Sequence, residues 1–118
     1  MKTIVTILST ILVYKVAEKL LYNRVSETVE EPKFIEFKSL SDTVPLMNSN
    51  DYSERLKAEY YQTRLRADKL RKMLVDWKNG TLNFTPVCDR DLLEAQLQIM
   101  EVYLKSLALR ASTEEIKL

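Results

Sequence analysis

The stretch "DWKNGTLNFTPVCDRDLLEAQ", residues 76–96, contains the chain's one glycine, its one cysteine and one of its three prolines. Such a cluster is typical of either a catalytic loop or a turn between two helices. Gly80 can adopt the left-handed conformation that ends a helix, and Pro86 keeps the residue before it extended. We therefore favour a turn at residues 79–87 that folds two helices back on each other.

The sequence before this turn predicts a helix over residues 51–78. Asp51, followed three residues later by Glu54, resembles a capping box at a helix start. One row of mostly apolar residues then recurs at alternating spacings of four and three: Leu56, Tyr60, Thr63, Ala67, Leu70, Leu74 and Trp77. This alternation indicates a helix that packs lengthwise against another helix.

The sequence after the turn predicts a second helix that begins near Cys88 or Asp89. Acidic residues follow at once, and negative charge is favourable at the start of a helix. A heptad row runs along this helix: Leu93, Leu97, Met100, Leu104, Leu107 and Ala111. We expect this row to face the row of the first helix in an antiparallel, coiled-coil-like hairpin.

A second row on this helix has no partner inside a two-helix hairpin. It consists of Leu92, Ala95, Ile99, Val102, Ser106 and Leu109. A helix that is apolar on two sides is buried on two sides, and a hairpin of about 65 residues has a small core. A further partner is therefore expected: the amino-terminal helix, Phe34 and Phe37 of the linker, or a second copy. We favour self-association, with Leu92, Ala95, Ile99, Val102 and Leu109 as the interaction surface.

Residues 1–25 form an apolar segment that predicts an amino-terminal helix. No charge occurs between Thr3 and Tyr14, but Lys15, Glu18 and Lys19 follow. A spanning helix needs roughly 20 apolar residues. Three interpretations stay open: a membrane anchor through residues 3–22, which we favour, a helix packed on the rest of the protein, and a cleaved signal peptide. As an anchor, its basic carboxyl side would place the hairpin in the cytoplasm.

Residues 26–50 separate this segment from the hairpin. They contain Pro32, Pro45 and many serine, threonine and asparagine residues, without a sustained period. This composition is typical of a tether. The predicted organisation is all-α: an amino-terminal apolar helix at 1–25, a linker at 26–50, and an antiparallel helical hairpin at 51–118.

The composition argues against an enzyme. The chain has no histidine, one cysteine and one glycine, which removes histidine-based catalysis, the usual zinc ligand and glycine-rich phosphate loops. We therefore expect no catalytic residues, no metal and no cofactor. With 18 basic and 17 acidic residues, no overall field favours nucleic acid, and we do not expect a nucleic-acid partner.

Two features could indicate a specific chemical function, a reactive thiol or an anion-binding surface. Cys88 at a helix start could be a reactive thiol, although we favour a half-buried residue near the cap. The stretch "RLRADKLRK", residues 64–72, offers an anion-binding surface made of Arg64, Arg66, Lys69, Arg71 and Lys72. We favour a solvated face in which Asp68 pairs with Arg64, Arg71 and Lys72.

Residues of about 52–116 resemble a family of small crAss-phage-related proteins with tandem helices. The resemblance rests on "YSERLKAEY" at 52–60 and on "LNFTPVCDRDLLEAQLQIMEVYLKSLALRA" at 82–111. It implies a bacteriophage accessory protein built as an antiparallel hairpin, without catalytic residues. The apolar amino-terminal segment departs from the usual short soluble members.

The sequence therefore predicts a non-enzymatic interaction module of a bacteriophage or prophage that self-associates or binds a host protein. One alternative is a membrane-anchored phage protein of the lysis or superinfection type. Another is an oligomeric sponge for a nucleotide signal. The expected location is the host cell, either at a membrane or in the cytoplasm.

Overall fold

The computed structural model describes residues 12–13, 15–20 and 37–118, and in this part of the chain every regular element is helical. A 3-10 turn at Leu40–Thr43 leads into the short helix α1, Val44–Met47. The long helices α2, Tyr52–Lys78, and α3, Arg90–Thr113, then pack antiparallel. The predicted all-α class and the helical hairpin are confirmed.

Helix α2 begins at the predicted cap. The Asp51 carboxylate accepts a hydrogen bond from the backbone N–H of Ser53 at 2.9 Å. The backbone N–H of Asp51 donates to the Ser49 hydroxyl at 3.0 Å, the bond that Glu54 would accept in a capping box. The helix therefore has the predicted aspartate cap, closed by Ser49 instead of Glu54.

The predicted turn between the helices is confirmed. Gly80 has a φ of 73°, in the left-handed region that glycine adopts without steric cost. Its N–H donates to the Trp77 carbonyl at 3.1 Å, and the Thr81 N–H donates to the Asp76 carbonyl at 2.9 Å. These two bonds form a Schellman motif, which ends α2. Asp89 then occupies the cap position of α3.

The predicted rows form the contact between α2 and α3. The buried members are Leu56, Tyr60, Ala67 and Leu74 on α2, with Leu107 and Ala111 on α3. Two polar contacts set the antiparallel register: the Tyr103 hydroxyl donates to the Glu59 carboxylate, and Arg110 donates to the Tyr52 hydroxyl. Tyr103 and Arg110 are seven residues apart on α3, and Glu59 and Tyr52 are seven residues apart on α2. Both contacts therefore lie along the same edge of the two helices.

The side of α2 that faces away from α3 is also buried. Ala58 and Tyr61 are each 1% exposed, and Leu65 is buried with them. The Phe37 ring lies 4.7 Å from the Tyr61 ring, and Leu40 and Leu46 pack on the same cluster. Residues 37–47, placed in the tether by the sequence analysis, thus pack onto α2. The folded unit extends back to Phe37.

Polar groups secure this covering segment. Thr43 is fully buried, and its hydroxyl accepts a hydrogen bond from the Gln62 amide at 2.9 Å. The Asp42 carboxylate accepts bonds from the backbone N–H groups of Ser39 and Lys38, which lower the pKa of this carboxyl. The segment is therefore held by specific hydrogen bonds as well as by apolar contact.

Most of the amino-terminal prediction lies outside the described residues. Residues 12–13 and 15–20 are helical and their side chains are exposed. No helix in the described part of the chain has the length and apolar character needed to cross a membrane. The rest of segment 1–25, Phe34, and the linker before residue 37 are not described, so an anchor through residues 3–22 stays a prediction.

Candidate interaction surface

The second row of α3 emerges as an exposed apolar strip. Leu92 is 61% exposed and Ile99 is 64% exposed, and Ala95 between them is exposed as well. Val102, Ser106 and Leu109 are half-buried. No described residue covers the amino-terminal half of this strip. We refer to Leu92, Ala95, Ile99, Val102, Ser106 and Leu109 as the α3 row.

The packing of α3 explains why the α3 row stays outside the hairpin. Leu92, Ile99 and Ser106 each precede a residue of the seam by one position, which rotates them by about 100° around the helix. The seam residues Leu107 and Ala111 are each 1% exposed and fix the helix against α2. Consequently the α3 row points sideways, on a helix that cannot turn to bury it.

The edge of the α3 row is polar and is tied to α2. The bond from the Tyr103 hydroxyl to the Glu59 carboxylate raises the pKa of Tyr103, because the protonated phenol is the donor. Arg110 donates to the Tyr52 hydroxyl, and Tyr52 in turn donates to the Glu114 carboxylate at 3.1 Å. These contacts hold Tyr103 and Arg110 in place beside the row.

A small cavity lies at the carboxyl end of the α3 row. Its volume is about 280 Å³, and Ser106, Leu109, Arg110, Thr113 and Glu114 line it. Ser106 and Leu109 belong to the row, and Thr113 continues it four residues after Leu109. The apolar strip therefore ends in a recess with hydroxyl groups, one cation and one carboxylate.

The turn end of the hairpin exposes further apolar side chains. Of the apolar residues of the turn, Leu82 is half-buried and Phe84 is 54% exposed. Val87 is fully exposed and Val75 on α2 is 50% exposed. Cys88 is exposed and not half-buried as expected, because it precedes the cap residue Asp89 and no described element packs on it.

The five residues of the predicted anion-binding surface differ in their bonds to neighbouring side chains. Arg71 binds Asp68 at 2.6 Å and Glu101 of α3 at 2.8 Å, and Lys72 binds Asp76 at 2.6 Å. The bond to Glu101, followed by that to Asp68, raises the pKa of Arg71. Of the predicted partners of Asp68, the structure joins only Arg71 to it.

The three remaining cations of this set differ in exposure and in bonding. Arg64 is half-buried and donates to the Tyr60 hydroxyl at 3.3 Å. Arg66 and Lys69 are exposed and make no ion pair with any described residue. Within this set, Arg66 and Lys69 are therefore the exposed cations that pair with no described residue.

Sequence reasoning missed the second buried side of α2. Ala58, Tyr61 and Leu65 recur at spacings of three and four, the same signal that identified the α3 row. That signal was available, but the residues that cover it, Phe37 to Met47, have no period of their own.

Comparison with known proteins identifies one family. A family model described as Sequestin matches residues 50–113, which include α2, the turn and α3. No curated protein and no solved structure matches the chain. The match agrees with a small helical family over the hairpin, while a relation to crAss-phage proteins stays a prediction. Since the matched residues make up more than half of the chain, this protein belongs to the Sequestin family.

Proposed function

We propose that this protein is a non-enzymatic binding module of a bacteriophage or prophage that acts by sequestration. It associates with itself or holds a host protein through the α3 row. The family description supports a sequestering role. The observation that carries the proposal is the exposure of Leu92 and Ile99 on a helix whose other side is packed.

Energetics support an interaction surface at this place. Fully burying a leucine or isoleucine side chain is worth about 1.5–3 kcal/mol, so a partner that covers Leu92 and Ile99 gains from both. The α3 row is already ordered by the seam beneath it. A surface that is rigid before binding loses little conformational entropy when a partner docks.

The test is the double substitution Ile99→Glu with Val102→Glu. Two carboxylates in the row would remain charged and unpaired under a partner, so we expect association to be lost while the hairpin stays folded. Light scattering measures the mass, co-purification from host cells measures partner binding, and circular dichroism measures helix content.

The matched control is Asn83→Glu with Ser112→Glu. These exposed residues, one in the turn and one near the end of α3, lie outside the row, and the substitutions add the same charge. The control should keep the mass and the bound proteins of the unmodified chain. If the Ile99→Glu and Val102→Glu variant also keeps both, the α3 row is not the binding surface.

A second candidate function is the capture of a nucleotide signal by an oligomer. The exposed, unpaired cations Arg66 and Lys69 favour it, because they are free to bind phosphate. Arg66→Gln with Lys69→Gln should then abolish any thermal shift caused by cyclic nucleotides. Lys78→Gln, an exposed change at the end of α2, is the control and should leave the shift intact.

The proposal includes neither catalysis nor a cofactor. The absence of histidine from the whole chain supports a binding role, since the commonest general base is missing. We propose a site of action inside the host cell, with the hairpin on the cytoplasmic side. A mass that is uniform without detergent would support a soluble assembly, whereas aggregation relieved only by detergent would support the membrane-anchored alternative.

A further inference from the structure

We infer that the occupant of the α3 row is the α3 row of a second copy, packed antiparallel about a two-fold axis near Ile99. This inference rests on the proposed function and names the partner of the same surface. A two-fold contact requires a patch that is complementary to itself. The charges along α3 meet this requirement.

Acidic and basic residues lie at opposite ends of the α3 row. Residues 89–99 carry Asp89, Asp91 and Glu94 against Arg90, a net charge of −2, and residues 100–110 carry Lys105 and Arg110 against Glu101, a net charge of +1. Parallel packing of two copies would place acid beside acid and base beside base. Antiparallel packing places each acidic end beside a basic end, which lowers the electrostatic energy of the contact.

One register aligns the polar residues on both edges of the row. If the two-fold axis passes between Ile99 and Met100, Glu94 lies opposite Lys105 of the second copy. Glu94 also binds Arg90 of its own chain at 2.9 Å, and its carboxylate can accept a further bond. In the same register Gln96 lies opposite Tyr103. These positions are equally far from the axis, so each match occurs twice in the dimer.

The outer ends of the same register also agree. Asp89 is as far before the axis as Arg110 is after it, so the two face each other across the contact. Arg110 already donates to Tyr52, but a guanidinium has five N–H donors and can bind a second acceptor. Three independent matches thus arise from one placement of the axis, with Ile99 of both copies at the centre.

The apolar residues fit this register without a clash of size. Ile99, 64% exposed in the single chain, meets its own counterpart at the axis. Leu92, 61% exposed, lies within one residue, about 1.5 Å along the helix axis, of the small residue Ser106 of the second copy. A large side chain against a small one is the arrangement that lets two helices approach closely.

Cysteine cross-linking tests the orientation directly. All variants carry Cys88→Ser, which removes the native thiol. A disulfide forms only when the two Cα atoms lie within about 7 Å. In the antiparallel register, Ile99→Cys should cross-link to its own copy under mild oxidation and double the 13.8 kDa mass.

Two further variants distinguish antiparallel from parallel packing. Leu92→Cys alone should stay uncross-linked, because the two sites lie about 22 Å apart along antiparallel helices. A mixture of Leu92→Cys and Ser106→Cys chains should form the mixed disulfide. Cross-linking of Leu92→Cys to itself would instead show a parallel contact and overturn the register.

Other occupants give different results. A disulfide within one chain between Val16→Cys and Ile99→Cys would show that the amino-terminal helix covers the row. A monomeric mass and no cross-links would refute the second copy as occupant. If Ile99→Glu with Val102→Glu still abolished binding of a host protein in that case, the proposed function would stand without the dimer.

Discussion

Helices α2 and α3 have the same pattern of two apolar rows, yet the described residues cover the second row of α2 and leave much of the second row of α3 exposed. Each has a seam row and a second apolar row. On α2 the second row, Ala58, Tyr61 and Leu65, is buried beneath the segment Phe37–Met47. On α3 the described residues leave Leu92 and Ile99 more than half exposed.

The difference follows from what lies next to each row along the chain. Residues 37–50 lead directly into α2, so a short segment can fold back over its first half. The end of α3 behaves similarly, since Ile116 and Leu118 pack on the same core. Near Leu92 the adjacent chain is the turn, whose Phe84 and Val87 are themselves exposed. In the described part of the chain, the uncovered row is thus the one that has no covering segment next to it in sequence.

The sharpest test of this contrast is a matched pair of leucine substitutions. Leu107→Ala removes a side chain that is 1% exposed and should lower the free energy of unfolding by about 3 kcal/mol. Leu92→Ala should lower it by less than about 0.5 kcal/mol, as for other exposed positions. Urea unfolding followed by circular dichroism measures both values.

The pair is best measured in the Ile99→Glu background. That change removes the proposed contact between copies, so the comparison reports the single chain and not the linked gain from association. Equal losses in the free energy of unfolding for Leu107→Ala and Leu92→Ala would mean that the α3 row is buried within one chain. The proposed difference between α2 and α3 would then be wrong.

The covering segment can be tested at Phe37. Phe37→Ala removes the ring that packs at 4.7 Å on Tyr61, and it should lower the free energy of unfolding by about 2 kcal/mol. The expected loss is smaller than for Leu107 because Phe37 lies at the edge of the core, near Lys57. Phe37→Leu, which keeps most of the apolar volume, is the control.

A negligible effect of Phe37→Ala on the free energy of unfolding would support the prediction that residues 26–50 form a tether. In that case residues 37–47 would contribute little to the fold, and the second row of α2 would need another cover. Protease protection of the segment provides an independent measurement, since a docked segment resists cleavage and a tether does not.

The hairpin could be predicted because its signals are local. Asp51 and Gly80 end or begin a helix through bonds to residues a few positions away, and Asp89 occupies the cap position of α3 without a side-chain bond. The seam rows repeat along each helix. The cover of α2 could not be predicted in this way. Its 3-10 turn and four-residue helix are too short to show a period, and they dock only after α2 exists.

The residues of the candidate surface could be predicted from the sequence, but the contacts between α2 and α3 beside it could not. Spacing alone identified Leu92 and Ile99 as members of one row. It could not show that Arg71 would bind Glu101, because a contact between helices depends on their register. For the same reason the bond between Tyr103 and Glu59 was not foreseen.

That bond provides the smallest and most specific test of the edge between the two helices. The pKa of Tyr103 is raised above its ordinary value of 10.0 in the folded chain, first by the bond to Glu59. The protonated phenol therefore favours the folded state at neutral pH, and this contribution is lost as the pH rises from 10 through the folded pKa. Tyr103→Phe should cost at most about 1 kcal/mol at pH 7. The difference in the free energy of unfolding from the unmodified chain should shrink above pH 10, as measured by urea unfolding.

The control for this prediction is the Glu59→Gln background. There the loss of unfolding free energy caused by Tyr103→Phe should change much less with pH, because the acceptor no longer carries a charge. A cost that stays constant to pH 11 in the unmodified background would show that the Tyr103 hydroxyl does not couple α3 to α2.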